Sequence, residues 1–546
     1  MANITHETDV LVIGSGFAGN RAALGAAGAG ARVLQATLGA GGSPNIMGFS
    51  APVTEGDSVE IIFSDLMKSG LGMNSPVLSR SYAEGTAELV ADFEALGVPF
   101  RKDAHGKIQP LHSLGTTYPR LVIQYQCLTG NYIQKALNDR IHHTDNITLR
   151  TNAMITDLLA EEGRVLGACG IDVASGEFLV IKSRVVVVAA GGSGRIHSFT
   201  TYPNDVAGDS MAMAYRAGLR VTDMELLQFE PCCFVAPTAI KGFVNPTTFL
   251  KMGARLSNNR GEFFVDDYST IQKDELSRKI YAEVMEGRGS PNGGVYYDVR
   301  MLPEEAVKIT HYVHYEPALR AGGVDICKEI SEVAPAGHSF QGGVVVNPDC
   351  STEIAGLFIA GEAMGGVHGA NRMGGDAGGA ALVFGKIAGQ SVAKAYRRFD
   401  APADARVASL AGEIKEIIGN ASRREGENPA VFRARIQQMM QEKVGLIKTE
   451  DTLTSALNEL NSLETAFTHL SAGSVAALRD LLSSRNMLST ARMMAMGALE
   501  RRESRGVHYR GDYPQRDDVN WSGRNVVISR GGDGKMRSSV VMREKE

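Results

Sequence analysis

"TDVLVIGSGFAGNRAALGAAGAGARVLQAT", residues 8–37, runs from an apolar strand through a glycine turn into an alanine-rich helix, then into a second strand. That order is a βαβ opening. Gly14, Gly16 and Gly19 stand in GxGxxG spacing. In such a turn the first glycine makes the tight bend, the second lets backbone approach a pyrophosphate, and the third packs helix on strand. Alone, the spacing also fits a purely structural turn. Its position after a strand and before a helix points to a dinucleotide, with Phe17 and Ala18 at the helix start in the same binding set. Thr37 closes the second strand where many such folds carry an acid for a ribose, and its hydroxyl is a weaker substitute.

Working outward, a second glycine-rich loop, "GAGGSPN" at 39–45, brings Gly42 and Ser43. A long polar and helical region follows to about residue 145. The strand-like pieces "GRVLGACGIDV" and "GEFLVIKSRVVVVAAGG" come next, the last ending through Ala190 on Gly191 and Gly192, which suits a second close approach to the cofactor. From 236 to 335 the glycine-loop pattern stops, and segments such as "DELSRKIYAEVMEGRG" show helical apolar spacing. The strand "IAGLFIAGEA" then resumes the dinucleotide-type order. The fold class expected is therefore α/β. A Rossmann-like domain (1–235 and 336–402) is interrupted by an α+β capping domain (236–335) and followed by a helical domain (403–500) and a C-terminal segment (501–546). The helical reading of 403–500 rests on apolar residues at three and four spacing with few prolines.

Composition narrows the function classes. At about 100 to 200 residues per domain, 546 residues make two to four domains. A net charge of −5 and a pI near 6.2 give no electrostatic footprint for nucleic acid or anionic lipid, so a small-molecule partner is expected. The opening residues lack the features of a secretory signal and no run of 18 apolar residues occurs, so a cytoplasmic protein without direct membrane insertion is expected. Cys127, Cys169, Cys232, Cys233, Cys327 and Cys350 show no CxxC or CxxxC spacing. That argues against an intrinsic iron–sulfur cluster, another metal site or a disulfide framework, and for reduced thiols.

The blocks "VIGSGFAGNRAAL", "VVVAAGGSGR", "VAGDSMAMAYRAG", "DMELLQFEP", "SRKIYAEVMEGRG", "GLFIAGEAMGGVHGANRMGG" and "ESRGVHYRGDYPQRDDVNW" occur in this order over nearly the whole chain. Together they resemble the flavoprotein subunits of succinate dehydrogenase and fumarate reductase, with L-aspartate oxidase and adenylylsulfate reductase as relatives. The resemblance implies an FAD-dependent oxidoreductase, a mobile cap, and substrate held between flavin and cap. It places Gly14, Gly16, Gly19, Thr37, Gly42, Asp209, Gly361 and Glu362 against FAD. Asp209 and Glu362 equally suit helix caps. A helix from Ala377 to Gln390, preceded by Asp376, would turn its N-terminus toward the flavin's pyrimidine edge, where its dipole favours negative charge by roughly 0.3 to 2 kcal/mol. Arg372, in "VHGANRMGGDAGG", corresponds to an arginine that grips a substrate carboxylate, a task suited to its planar fork. A structural arginine paired with Asp376 or with carbonyls is the alternative. His338, in "APAGHSFQGGV", falls at a substrate-contacting histidine.

Several positions depart from the family. Where relatives read "QYHPT" or "QFHPT", this chain reads "QFEPC", placing Glu230 and Cys232 there, and an acid repels a second substrate carboxylate. Counting back from "GARLSN", the family's Thr-Glu pair and arginine proton donor fall on Pro246, Thr247 and Leu250, and Lys251 lies one residue away. Glu230 or Lys251 is thus expected to handle the proton. The histidine that bonds covalently to FAD in membrane-bound relatives is Pro44 here, so noncovalent FAD is expected. The resemblance implies hydride transfer between flavin N5 and a small, anionic substrate, and the departures at Glu230 and Leu250 point to one other than fumarate or succinate. Electrons would be exchanged with an iron–sulfur or other electron-transfer subunit, with oxygen as the alternative acceptor. Two alternatives stay open: an adenylylsulfate reductase-like flavoprotein, for which AMP binding and a sulfite adduct would be diagnostic, and a non-catalytic flavin electron carrier.

Overall fold

The structure, a computed structural model, describes residues 3–113, 115–124, 128–268, 271–308, 318–421 and 425–543. Cys127 lies outside them, and the other five cysteines are free thiols. The central sheet begins with β1 (Asn3–Ile13), β2 (Val33–Ala36), β3 (Ile147–Arg150), β4 (Ala153–Glu161), β5 (Arg164–Asp172) and β6 (Phe178–Val188). Their order is β3-β2-β1-β6-β5-β4, with the short strand Leu357–Ile359 also paired to β6. The strands around β1 run parallel, whereas β4, β5 and β6 form an antiparallel meander. Strand β6 is buried almost throughout, and its end nearest the nucleotide edge, Val185–Val188, is an unbroken valine run of the kind a sheet covered on both faces favours.

Helix α1 (Phe17–Gly28) lies against a long helix whose glycines let two backbones meet: a Cβ on Gly25 would stand 2.8 Å from Gly389 Cα. That long helix spans Asp376–Ala395, so it continues past Gln390. Nothing in "SVAKA" breaks a helix, since it holds neither glycine nor proline.

The cap has its own sheet and its own core. Strands β7 (Leu227–Phe234), β8 (Arg255–Ser257), β9 (Val295–Asp298) and β10 (Ser331–Phe340) pair in the order β7-β10-β9-β8. Helix α2 (Lys273–Met285) packs on β7. The cap's apolar cluster runs from Cys232 to Val333 and includes Phe249, Leu250, Leu276, Ile280 and Tyr297. Its two base strands thus begin before 236 and end after 335, because they pair with each other at the root of the insertion. Beyond the nucleotide fold, helices span Asp404–Ala421, Pro429–Lys443, Glu450–Phe467 and Val475–Glu500, and the hairpin Arg524–Arg530/Met536–Met542 follows.

Between these last elements the segment 501–510 carries a fully buried charge network. Arg501 donates to Glu225 at 2.6 Å and Glu503 at 3.1 Å, and Arg505 grips Glu503 with two bonds of 2.8 and 2.9 Å. Val507 N donates to Ala370 O at 3.0 Å, so this network braces the loop that carries Arg372.

Candidate active site

The carboxyl ends of four strands finish side by side. Ile13 lies opposite both Ala36 and Val188, and Val188 lies opposite Ile359. Gly14, Thr37, Ala190, Gly191, Gly361 and Glu362 therefore leave the sheet along one edge, the edge at which open α/β sheets bind ligands. Gly14 has φ +112°, and a Cβ there would stand 2.3 Å from Ala189 O; at Gly19 it would stand 2.2 Å from Gly14 O. Any side chain at either position separates the segments that shape the turn.

Ser43 Oγ accepts from Phe17 N at 3.0 Å, tying the loop that holds Gly42 to the start of α1. No side chain caps α1 at Gly16. Gln35 and Gln134 donate to the oxygens of Gly14 and Ser15 at 3.0 and 2.8 Å, while their own Oε1 atoms, and nearby Ser193 Oγ, are buried without a partner. Thr37 donates to Gly39 O at 2.9 Å and stands beside a cavity of about 230 Å³ that is also lined by Ser15, Asn138 and Asn152. An uncapped helix N-terminus, close-packed glycines and spare buried acceptors fit a bound dinucleotide.

The two acids expected at FAD are both buried and both held by protein donors. Glu362 accepts from Gly192 N at 3.1 Å, Phe340 N at 3.0 Å and the Tyr202 hydroxyl. Asp209, first residue of the helix Asp209–Arg216, accepts from Asn486 at 2.5 Å. Burial raises both carboxyls above their ordinary values against these donors.

On the substrate side, Arg372 is buried. It donates Nη1 to Met373 O at 3.0 Å and leaves Nε without a partner. Its loop is fixed by Gln228 Nε2, which donates to Arg372 O at 3.0 Å and Asn371 Oδ1 at 2.9 Å, and by Ser69 Oγ, which donates to Asn371 O at 2.5 Å. Asp376 Oδ1 takes the Tyr82 hydroxyl at 2.9 Å, and Oδ2 has no partner. Burial pushes Asp376 up to about 6 although Ser50, Tyr82 and Arg372 oppose it. Ala377 follows in the first turn of the long helix.

His338 owes its orientation to a bulge. Gln228 pairs with Ser339 and Phe229 with Gly337, so His338 is the extra residue of β10. Bulges re-aim side chains in this way beside active sites. The segment before it is pinned by Thr200 and Thr201, and Thr201 Oγ1 lies 2.9 Å from His338 Nδ1. Burial lowers His338 to about 3, with Glu230 opposing and Arg372 and Lys273 reinforcing, so the imidazole is neutral.

Glu230 is only 2% exposed, and its Oε2 meets Lys273 Nζ at 2.5 Å and His338 Nε2 at 3.7 Å. Burial raises the Glu230 carboxyl, but Lys273, by its charge and its hydrogen bond, together with the charge of Arg372, outweighs burial and holds it below its ordinary value. The site thus brings Arg372, His338 and Glu230 together, but not Lys251. Lys251 ends the short helix Thr248–Lys251 and is exposed, whereas Leu250 faces the cap core. A one-residue step around a helix turns the side chain by about 100°, which separates the two. The cation that the site does contain is Lys273. Its one sequence signal was Glu230 itself, because a buried acid requires a cation, and Lys273 begins a helix that packs on the acid's strand.

Among the described residues no group of three or more His, Cys, Asp or Glu is placed to hold a metal ion, and no described helix is long and apolar enough to cross a membrane.

The chain is similar to known proteins over its full length. The FAD binding domain family matches residues 9–377, and the fumarate reductase flavoprotein C-terminal family matches residues 433–544. One of the subunits of the CoM/CoB fumarate reductase of Methanothermobacter marburgensis is 34% identical, covering 97% of this chain and 98% of that protein. Mycobacterium smegmatis Sdh1, solved in complex with UQ1, superposes with a TM-score of 0.88 at 32% identity, covering 99% of this chain and 95% of that one. An E. coli quinol fumarate reductase variant gives a TM-score of 0.91 at 26% identity, covering 100% and 98%.

Proposed function

We propose that this chain, which belongs to the fumarate reductase and succinate dehydrogenase family of FAD-dependent oxidoreductases, moves a hydride between flavin and a small carboxylate-bearing substrate other than fumarate or succinate. The observation that carries this reading is the buried Arg372 guanidinium with a free Nε, beside the buried acid Glu230.

FAD, when bound, supplies the two-electron hydride chemistry. Arg372 binds the substrate carboxylate through its planar fork and sets which carbon faces the flavin. His338, neutral and held by Thr201, offers a hydrogen bond without adding charge. Reduction of a carbon–carbon double bond takes a hydride on one carbon and a proton on the next, and we assign the delivery of that proton to Lys273, in support of which it is the ammonium paired with Glu230. Glu230 holds Lys273 in place and keeps it charged, and the proton that Lys273 gives up is replaced from solvent, to which its side chain is partly open. The cap shields these groups from water, which strengthens every charge interaction among them. Noncovalent FAD follows from Pro44, which lies in the turn Ser43–Asn45 and has no nucleophile to offer. Electrons are exchanged with a separate iron–sulfur or other electron-transfer subunit; in support, the Methanothermobacter relative is named as one subunit of its enzyme.

The test is anaerobic mixing of dithionite-reduced holoprotein with crotonate, fumaramate and fumarate while flavin reoxidation is followed. We expect reoxidation by a monocarboxylate and the slowest rate with fumarate. Fumarate reacting fastest, or no carboxylate reacting, overturns the reading.

A further inference from the structure

On the reading that Arg372 anchors a carboxylate, we propose that the far end of the substrate is an uncharged hydrogen-bond donor, a carboxamide or hydroxyl, received by Glu230. Strand β7 sets the geometry. Gln228 and Glu230 are two residues apart and so share one face of the strand, about 6.6 Å apart along it. Gln228 touches the backbone of Arg372 and the side chain of Asn371. Glu230 therefore stands one strand step beyond the arginine's loop, near enough for its carboxylate to feel the Arg372 charge.

The polar atoms at that position have defined roles. Glu230 Oε2 is held by Lys273 at 2.5 Å and faces His338 Nε2 at 3.7 Å. Oε1 makes no hydrogen bond among the described residues. An ionised, buried carboxylate with one free oxygen is an acceptor, and only a donor completes it. A second substrate carboxylate would place like charges side by side in a desolvated site. Lys273 softens that repulsion without removing it, since its ammonium is already committed to Oε2. Arg372 at one end and Glu230 at the other thus distinguish the two ends of the substrate by charge.

Fumarate and its monoamide, fumaramate, have the same shape and differ only in whether the second end is a carboxylate or a donor. Their dissociation constants, with crotonate as a ligand lacking any polar far end, are read from the flavin absorbance of the oxidised holoprotein. We expect fumaramate to bind at least about 30-fold more tightly than fumarate, a conservative share of the several kcal/mol that like-charge juxtaposition costs. It should also bind more tightly than crotonate. In Glu230→Gln the preference over fumarate should fall toward parity. Equal or tighter binding of fumarate by the native protein overturns the inference, as does fumaramate binding no better than crotonate; in both cases the carboxylate reading of Arg372 stands. If none of the three perturbs the flavin, the carboxylate reading itself fails and the inference falls with it. The native protein alone decides these outcomes even if Glu230→Gln does not fold.

Discussion

Replacing Lys273 with methionine removes the nearest cation from a carboxylate that is almost wholly buried. In the native chain Glu230 sits below its ordinary value of 4.5, because Lys273 and Arg372 together outweigh burial. A carboxyl lowered in this way contributes stability that is complete above the unfolded value and is lost only as pH falls through the folded one. In Lys273→Met the balance reverses. Burial dominates, the folded value rises above the unfolded one, and stability is lost as pH rises. Two charges about 4 Å apart interact by roughly 4 kcal/mol at an effective dielectric of 20, in line with the about 3 to 5 kcal/mol seen when one partner of a buried pair is removed. Arg372 offsets part of this, so the lower end of the range is expected. Thermal unfolding of native protein, Lys273→Met and Glu230→Gln/Lys273→Met should be followed by flavin release at about pH 5, 6.5 and 8. The deficit of Lys273→Met should widen as pH rises, and the double variant should recover most of it. A deficit that is absent, or that shrinks with pH, would refute the assignment of Lys273 as the partner of a buried, ionised Glu230.

Two further outcomes follow from the same geometry. Because Pro44 offers no nucleophile, acid precipitation should release all FAD into the supernatant, whereas fluorescence retained on the denatured chain in a gel would contradict this. Leu250→Arg introduces the residue type that the family resemblance implies there, yet Leu250 lies in the cap core at 5% exposure. It should therefore lower the melting temperature without creating fumarate reduction, and a stable variant that reduces fumarate would show that the side chain points into the site.

Much of the nucleotide fold was legible because its signals are local. The GxGxxG turn needs glycine for reasons that act over a few residues: the positive φ of Gly14 and the 2.2 Å clearance at Gly19 are visible in the spacing itself. Helices and buried strands were legible from their periods, but boundaries set by pairing were not. The cap's base strands, β7 and β10, belong to a sheet whose partners are more than 90 residues apart, so no local composition shift marks where it starts. His338 was identified by resemblance, but its orientation depends on a bulge, which exists only once β7 and β10 are in register. Lys273 was missed for a related reason. The first residue of an amphipathic helix looks like a solvated end until the helix docks and lays that end against Glu230. Lys251, adjacent in sequence to the position of interest, is far from equivalent once the chain coils into the helix Thr248–Lys251.

The central claim is that Arg372 receives a substrate carboxylate at the flavin, and the most direct measurement compares native protein with Arg372→Ala and Arg372→Lys by flavin absorbance titration with crotonate and fumaramate. All three should bind FAD equally, since the glycine turns and the Gln228, Ser69 and Val507 braces act on backbone and remain. Ligand affinity should fall by about 2 to 5 kcal/mol in Arg372→Ala, with little recovery in Arg372→Lys, which keeps the charge but loses the two-point geometry. Loss of FAD in the alanine variant with rescue by lysine, or unchanged ligand binding in both, would contradict the account.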